Sequence, residues 1–254
     1  MTGRLLLVAA LLAPTVAWSA AVTPEGEVAK LLKEAEREGF QRRDLDAFFG
    51  PFTERTRWTF GRRPVADDHD YTLTNPNFRA QLAGRWRDGA SGQERVFFRE
   101  LEVTLDGPTG AAEAKLVRHF FGGSEHLGRS YRLALIRGVY RVTAVRTWMI
   151  KTAFGMDVRI YDDAYLLDAD ARAAAAKADP ERPFLERISA LVVAGWLPEA
   201  YLIARAESRR APKSTEGWRA RAQLGFTLGH LKDAKQAAKR LRALDPTARL
   251  GPGL

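Results

Sequence analysis

The clearest pattern along the chain is an alternation of apolar and polar residues between positions 126 and 149, which predicts two long β-strands. These strands would be joined at Arg137-Gly138, where glycine suits a tight hairpin turn. Two further alternating stretches, 93–106 and 112–121, precede the hairpin and are separated by turn-forming residues. The face of the first stretch that is predicted to meet the core carries Phe97, Leu101, Val103 and Leu105. We therefore expect a meander of four long antiparallel strands.

Helical patterns come before this meander. Residues 25–41 and 44–49 place apolar side chains at helical spacing, and Gly50-Pro51 ends the second of these helices. A short strand is predicted at 55–61, and Asn75-Pro76 suits the start of a third helix. Helices followed by a run of strands indicate an α+β domain. We expect a cone-like, curved antiparallel sheet with N-terminal helices.

Three segments carry a family resemblance: RRDLDAFFGPF at 42–52, NPNFRAQLAGRW at 75–86 and YRLALIRGVYRVTAVRTW at 131–148. Together they resemble the nuclear transport factor 2-like (NTF2-like) superfamily, which includes ketosteroid isomerase-like and SnoaL-like proteins. The resemblance covers roughly 24–152 and implies a conical α+β barrel. It also implies an aspartate base and a tyrosine/acid oxyanion hole in those members that are isomerases, but no residue of this chain is assigned to these roles.

The C-terminal part contains an internal repeat with a spacing of 34 residues. At this offset Gly195 matches Gly229, Leu197 matches Leu231, Ala204 matches Ala238, and Pro212 matches Pro246. This resembles the tetratricopeptide repeat, which has that period. The match is incomplete, because Arg221-Ala222 replaces the usual Leu-Gly pair and Gly225 replaces the usual tyrosine. We expect tetratricopeptide-like helices that bury one face against the barrel or against a partner.

The first residues have the features of an export signal. Arg4 precedes an apolar run, and small residues around 17–21 suit a cleavage site; an uncleaved anchor is the alternative. The chain has no cysteine, which excludes disulfides, thiolate metal sites and a lipid-modified cysteine. The expected location is the bacterial periplasm or the exterior. The predicted division is a signal peptide at 1–20, an NTF2-like domain at 21–155, a connector at 156–181, helical repeats at 182–249 and a tail at 250–254.

The net charge of +9 is concentrated near the C-terminus. Residues 182–254 contain 14 Lys/Arg and 6 Asp/Glu, a balance of +8, whereas residues 20–181 contain 25 of each. An exported protein is a poor partner for nucleic acid, so the basic part is expected to meet an acidic protein or an anionic membrane surface. The candidate partner residues are Arg205, Arg209, Arg210, Arg219 and Arg221.

Candidate chemistry is sparse. No histidine pair has HxxxH or HExxH spacing, and there is no glycine-rich phosphate loop, so no metal and no cofactor are expected. The cluster at 67–70 includes Asp68 and His69 and could act as a general base or a weak cation site. The competing interpretation is a solvated turn.

The predicted final strands offer a possible ligand clamp. Arg146 is expected to share a face with Trp148, and an inward arginine could hold an anionic ligand near Tyr131. Arg118 and His119 are adjacent, so only one of them can enter the cavity. The alternative places these cations on the outer face. No acid occurs between Glu125 and Asp157, which argues against catalysis on these strands.

Two functions remain open from the sequence. The first is an exported cell-envelope interaction or assembly protein, in which a barrel binds a small hydrophobic or anionic ligand and basic helices bind a protein partner. The second is a small-molecule isomerase or hydrolase-like enzyme of the SnoaL type. A homodimer through the sheet face is compatible with either.

Overall fold

A computed structural model of the protein describes residues 23–87, 94–120 and 122–250. The signal-peptide prediction, and most of the 250–254 tail, lie outside these residues. The helices are α1 (Pro24–Arg42), α2 (Leu45–Phe49), α3 (Asn75–Arg87), α4 (Asp163–Ala178), α5 (Phe184–Val193), α6 (Leu197–Arg210), α7 (Thr215–Thr227) and α8 (Leu231–Leu244). The strands are β1 (Phe52–Gly61), β2 (Tyr71–Thr74), β3 (Arg95–Asp106), β4 (Thr109–Phe120), β5 (Gly123–Ile136), β6 (Val139–Phe154) and β7 (Asp157–Ile160).

The strands form one curved sheet in the order β2-β1-β6-β5-β4-β3, and β7 pairs with the end of β6. The meander β3–β6 is antiparallel as predicted, and Arg137 and Gly138 form its last turn with φ of 53° and 79°. The α+β class, the curved sheet and the following all-helical segment are confirmed. The expectation of a wholly antiparallel sheet is wrong, because β1 runs parallel to β6. The connection from β1 to β6 passes through the helix α3 and the whole meander, so no local pattern reveals this pairing.

Strand β3 contains a second departure from the prediction. A bulge between Phe98 and Glu100 changes the register against β4. Because side chains alternate across a strand, one extra residue moves every preceding side chain to the opposite face. Val96 is therefore buried and Phe98 packs on the core, whereas Phe97 is 44% exposed. The prediction that Phe97 shares the core face with Leu101 is wrong for this reason.

The core of the sheet domain is an aromatic cluster under the concave face. Helix α1 begins with Thr23 as its cap and turns into α2, which presents Phe48 to the sheet. Phe48 is fully buried and contacts the rings of Phe40, Phe78 and Trp58 at centroid distances of 5.1–6.3 Å. The indole Nε1 of Trp58 donates to Asn75 at 2.9 Å, which satisfies its buried polar atom.

Every regular element of the segment from α4 to α8 is a helix. Residues 156–181, interpreted from the sequence as a connector, contain β7, which extends the sheet, and α4, which packs against α5. Helix boundaries repeat at an offset of 34 residues. Helices α5 and α7 end at Val193 and Thr227, and helices α6 and α8 begin at Leu197 and Leu231. Tetratricopeptide identity remains a prediction.

This helical segment packs against the sheet domain. Gln81 of α3 donates to the carbonyls of Phe226 and Thr227, and Asn77 donates to the carbonyl of Gly229 at 3.4 Å. Gly229 has φ of 77° and lies so close to Leu73 that a Cβ atom would come within 2.7 Å of it. The two parts are thus joined by bonds to the backbone at the α7–α8 turn. Within the described ranges, no helix is long and apolar enough to cross a membrane.

Candidate functional site

A cavity of about 330 Å³ lies where the sheet domain meets the helical segment. The sheet domain supplies most of its walls, and Gly195 and Leu197 at the start of α6 supply the rest. The apolar lining from the sheet domain includes Phe40, Phe60, Phe78, Leu82, Leu127, Trp148 and Met149. This volume is within the range of small-molecule pockets, which are mostly apolar with a few polar groups.

The polar end of the cavity contains two arginines from different elements. Arg118 of β4 and Glu125 of β5 are register partners and form an ion pair. Arg85 of α3 contacts Glu94 at 3.3 Å through one nitrogen. Burial lowers the pKa of Arg85, and the positive charge of Arg118 lowers it further. Among the described residues, Glu94 is the carboxylate that Arg85 contacts, through this single long hydrogen bond.

Tyr71 lies beside these arginines. Its ring stacks on Phe60 with centroids 5.1 Å apart, and its hydroxyl makes no hydrogen bond to a residue that the structure describes. Burial raises the pKa of Tyr71 well above its usual value, so the hydroxyl stays protonated at neutral pH. Tyr71 therefore presents a neutral hydrogen-bond donor and a flat ring to the cavity.

The floor of the cavity is a buried ion pair. Arg129 of β5 pairs with Glu36 of α1, and its Nε donates to Thr147 at 3.1 Å. Burial raises the pKa of Glu36, and Arg129 opposes that effect. One oxygen of Glu36 and the hydroxyl of Tyr131 are buried without a hydrogen-bond partner in the described part of the chain. Arg129 is thus held by α1 and β6 and faces the cavity from below.

The loop between β1 and β2 lies at the rim of the cavity. Arg62 pairs with Asp67 at 2.6 Å within the loop and with Asp170 of α4, and it donates to the carbonyl of Ala194 at 3.1 Å. His69 Nδ1 lies 2.8 Å from Glu199, and its ring stacks on Trp196 at 3.9 Å. Both loop side chains therefore bind the helical segment directly at the rim of the cavity.

Arg146, the predicted ligand clamp, has protein partners instead. Its guanidinium pairs with Asp70 at 2.6 Å and donates to the carbonyl of Arg63 at 3.0 Å and 2.9 Å. It is not part of the cavity lining. The sequence offered no acid on the neighbouring strands, but Asp70 comes from the β1–β2 loop. Arg146 holds that loop in place.

The other predicted ligand-binding residues are dispersed. Tyr131 is 1% exposed and lies in the core. Trp148 lines the cavity. Its indole lies against Gly128, its register partner on β5, and also borders a groove beside Glu113 on the sheet. Asp68 is exposed, and only His69 of the 67–70 cluster lines the cavity. The structure thus brings two of the five candidates, Trp148 and His69, to the cavity.

The five predicted partner arginines differ in their ion pairing and exposure. Arg221 pairs with Asp233, Arg210 with Glu207 at 2.9 Å, and Arg219 with Asp245 at 3.8 Å. Arg205 is half-buried, and Arg209 is exposed on α6. These side chains do not form one continuous exposed cationic face.

Sequence reasoning missed Arg85, Glu36 and Arg129 as members of the site. The signal in the sequence that could have indicated these residues is a polar residue on an otherwise apolar face. Glu36, for example, lies with Ala35 and Phe40 on the buried side of α1. Of the adjacent residues Arg118 and His119, only one was expected to enter the cavity, and Arg118 is the one that lines it. In the described ranges, no group of three or more His, Asp or Glu side chains is arranged to hold a metal ion.

Several similar solved structures match about half of this chain. No protein-family model matches the chain, and no curated protein matches it. An NTF2-like protein of unknown function from Pseudomonas putida is similar over 49% of this chain and 84% of its own, at 12% identity and a TM-score of 0.40. An NTF-2 like protein from Shewanella oneidensis is similar over 50% and 99%, at 14% identity and 0.38. A protein with a cystatin-like fold from Caulobacter vibrioides is similar over 50% and 91%, at 12% identity and 0.38. Similarity at this level does not extend to the chemistry of the cavity.

Proposed function

We propose that the protein binds a small amphipathic anion in the cavity between the sheet domain and the helical segment. The observation that carries this proposal is the combination of apolar walls with Arg85, whose one contact to a described carboxylate is a single hydrogen bond of 3.3 Å. The ligand would place an apolar body against Phe60 and Leu82 and a carboxylate-like head beside Arg85. The helical segment contributes the remaining wall through Leu197.

Arg85 is suited to an anionic head because a guanidinium has five N–H donors in a fixed fork. Its one hydrogen bond among the described residues goes to Glu94 at 3.3 Å, near the long end of the usual range. The remaining donors are available to a ligand. Hydrogen bonds between charged groups are roughly twice as strong as neutral ones, so a carboxylate gains more here than a neutral amide. Tyr71 can add a donor from the same side.

An enzymatic role is less well supported by the lining. Glu125 pairs with Arg118, and Glu36 pairs with Arg129 below the floor. His69 is held between Glu199 and Trp196. A general base must be able to reach a substrate proton, and each of these groups in the described lining already has a protein partner. We therefore favour binding over SnoaL-type catalysis.

The setting that we propose for this binding is the cell envelope, as an exported, periplasmic or secreted interaction protein. The support is the leader-like sequence at 1–20 and the +8 balance of residues 182–254. In this proposal the helical segment both covers the ligand and presents a basic surface to a partner.

Fluorescence titration with anilinonaphthalene sulfonate, an anionic aromatic dye that brightens in apolar sites, tests the cavity. The wild-type protein should show saturable binding at one site. Leu127→Trp should weaken it by about tenfold or more, equivalent to at least ~1.4 kcal/mol, because the added ring enters the cavity from a half-buried wall position.

The matched control is Leu135→Trp, at a position on the same strand that is 44% exposed and outside the cavity. It should bind the dye like the wild type. If both variants bind equally well, the dye does not occupy the cavity and the proposal is wrong.

A further inference from the structure

Helix α8 presents an exposed face on which every charged residue is basic. Its exposed charged residues include Lys232, Lys235, Lys239 and Arg240. Positions 232, 235 and 239 follow helical i, i+3, i+7 spacing and so lie in one row. Residues 231–244 contain a single acid, Asp233, which is turned to Arg221 on α7. The face is therefore a row of cations without a carboxylate beside it.

Several cations on other helices are compensated locally. On α1, Lys30 faces Glu34 and Arg42 pairs with Glu38. On α4, Arg172 pairs with Asp168 at 2.7 Å. Pairs at these i, i+4 positions are the usual arrangement on a solvated helix. Lys232, Lys235, Lys239 and Arg240 have no ion pair to any described residue, so α8 gathers four uncompensated cations on one helix.

The orientation of this face is fixed by the opposite side of α8. Ala234, Ala237, Ala238 and Leu241 are at most 2% exposed and pack towards α7. Tyr201 and Arg221 both bond to Asp233, at 2.7 Å and 2.9 Å, and hold the start of the helix. The helix cannot rotate without exposing this apolar side. Its cationic row therefore points permanently outward at the end of the helical stack.

The chemistry of the face favours lipid headgroups over a protein. Specific protein interfaces have an apolar or aromatic centre surrounded by a polar rim. None of the large apolar side chains of α8 is exposed, so such a centre is missing. A flat cationic row needs only a dense array of negative charge, which an anionic lipid surface provides. We propose that the exposed face of α8 docks the protein on an anionic membrane surface.

Vesicle co-sedimentation of the full chain tests this docking. Vesicles of phosphatidylcholine containing phosphatidylglycerol should bind the protein at low salt, and binding should fall as salt is raised. Vesicles of phosphatidylcholine alone should not bind it. The quadruple variant Lys232→Gln, Lys235→Gln, Lys239→Gln, Arg240→Gln should bind the anionic vesicles more weakly, by about fivefold for each charge removed. Glutamine has helix propensity close to that of lysine, so α8 is preserved, and circular dichroism verifies this.

The matched control removes four exposed cations from the sheet domain: Lys30→Gln, Lys33→Gln, Arg57→Gln and Arg132→Gln. It lowers the net charge by the same amount and should leave vesicle binding nearly unchanged. Equal loss in both variants would mean that net charge, and not this face, governs binding. Absence of vesicle binding at low salt, or binding to polyglutamate without binding to anionic vesicles, would overturn the proposal. Neither result depends on whether the cavity binds a ligand.

Discussion

Buried charge is the feature that most distinguishes individual residues of this protein. Arg129 and Glu36 have side chains only 8% and 4% exposed and lie under the cavity. Removing charges from water is costly, so a buried pair is stable only while both partners are present. The pair fixes α1 against β5 and thereby sets the floor of the ligand site.

Arg129→Met should destabilise the protein by about 3–5 kcal/mol, because it leaves the carboxylate of Glu36 buried without its partner. Urea denaturation followed by circular dichroism measures this change. Glu36→Met combined with Arg129→Met should recover most of the lost stability, since no charge then remains in the interior. Lys115→Met breaks the exposed pair with Glu100 and should cost at most about 1 kcal/mol. Equal effects of Arg129→Met and Lys115→Met would contradict this assignment.

Single residues were also the hardest part to predict. The sequence shows Glu36 and Arg129 as ordinary polar residues 93 positions apart, and nothing local connects them. Arg146 was recognised as a special strand arginine, but its partner Asp70 belongs to a loop 76 positions earlier. Contacts of this kind depend on the completed fold and leave no periodic signal along the chain.

At the scale of elements, local patterns were more informative. The β5–β6 hairpin and the meander follow from alternation and turn residues, because both act over a few positions. The parallel β1–β6 pairing and the bulge at Phe98/Glu100 do not, because they depend on which strands meet. The recurring α5–α6 and α7–α8 turns follow from the repeated glycines Gly195 and Gly229, with φ of 78° and 77°.

The helices α6, α7 and α8 meet at Asp233, whose stability contribution depends on pH. Hydrogen bonds from Arg221, assisted by Tyr201, lower the pKa of Asp233 from 3.8 to about 2. A lowered folded-state pKa adds stability above the unfolded value, and that stability is lost as pH falls through the folded value. Between about pH 4 and pH 2 the wild type should therefore lose about 1–2 kcal/mol from this group, allowing for its partial exposure.

Asp233→Asn should remove this part of the acid dependence, as measured by urea midpoints over the same pH range. Asp168→Asn is the control, because its pair with Arg172 on α4 is well exposed and contributes little. An unchanged acid profile in Asp233→Asn would contradict the proposed role of the Arg221–Asp233–Tyr201 contact.

At the scale of the whole molecule, the two parts of the chain are joined around the cavity. The β1–β2 loop is held on one side by Arg146 and on the other by the contacts of Arg62 and His69 with the helical segment. The sequence predicted a sheet domain and a helical segment that buries one face, either against the sheet domain or against a partner. It could not predict that this face would enclose a cavity, because the lining comes from many separated elements.

The central claim is that Arg85 selects an anionic ligand inside this cavity. The most direct measurement is calorimetric titration with naphthoate and with its neutral analogue naphthamide, in the wild type, Arg85→Met and Arg87→Met. Arg87 is exposed on the same helix and serves as the matched control. The wild type and Arg87→Met should prefer naphthoate by about tenfold or more, the size expected for a hydrogen bond to a charged group. Arg85→Met should bind the two compounds equally and retain its affinity for naphthamide. No preference in the wild type, or an undiminished preference in Arg85→Met, would contradict the account.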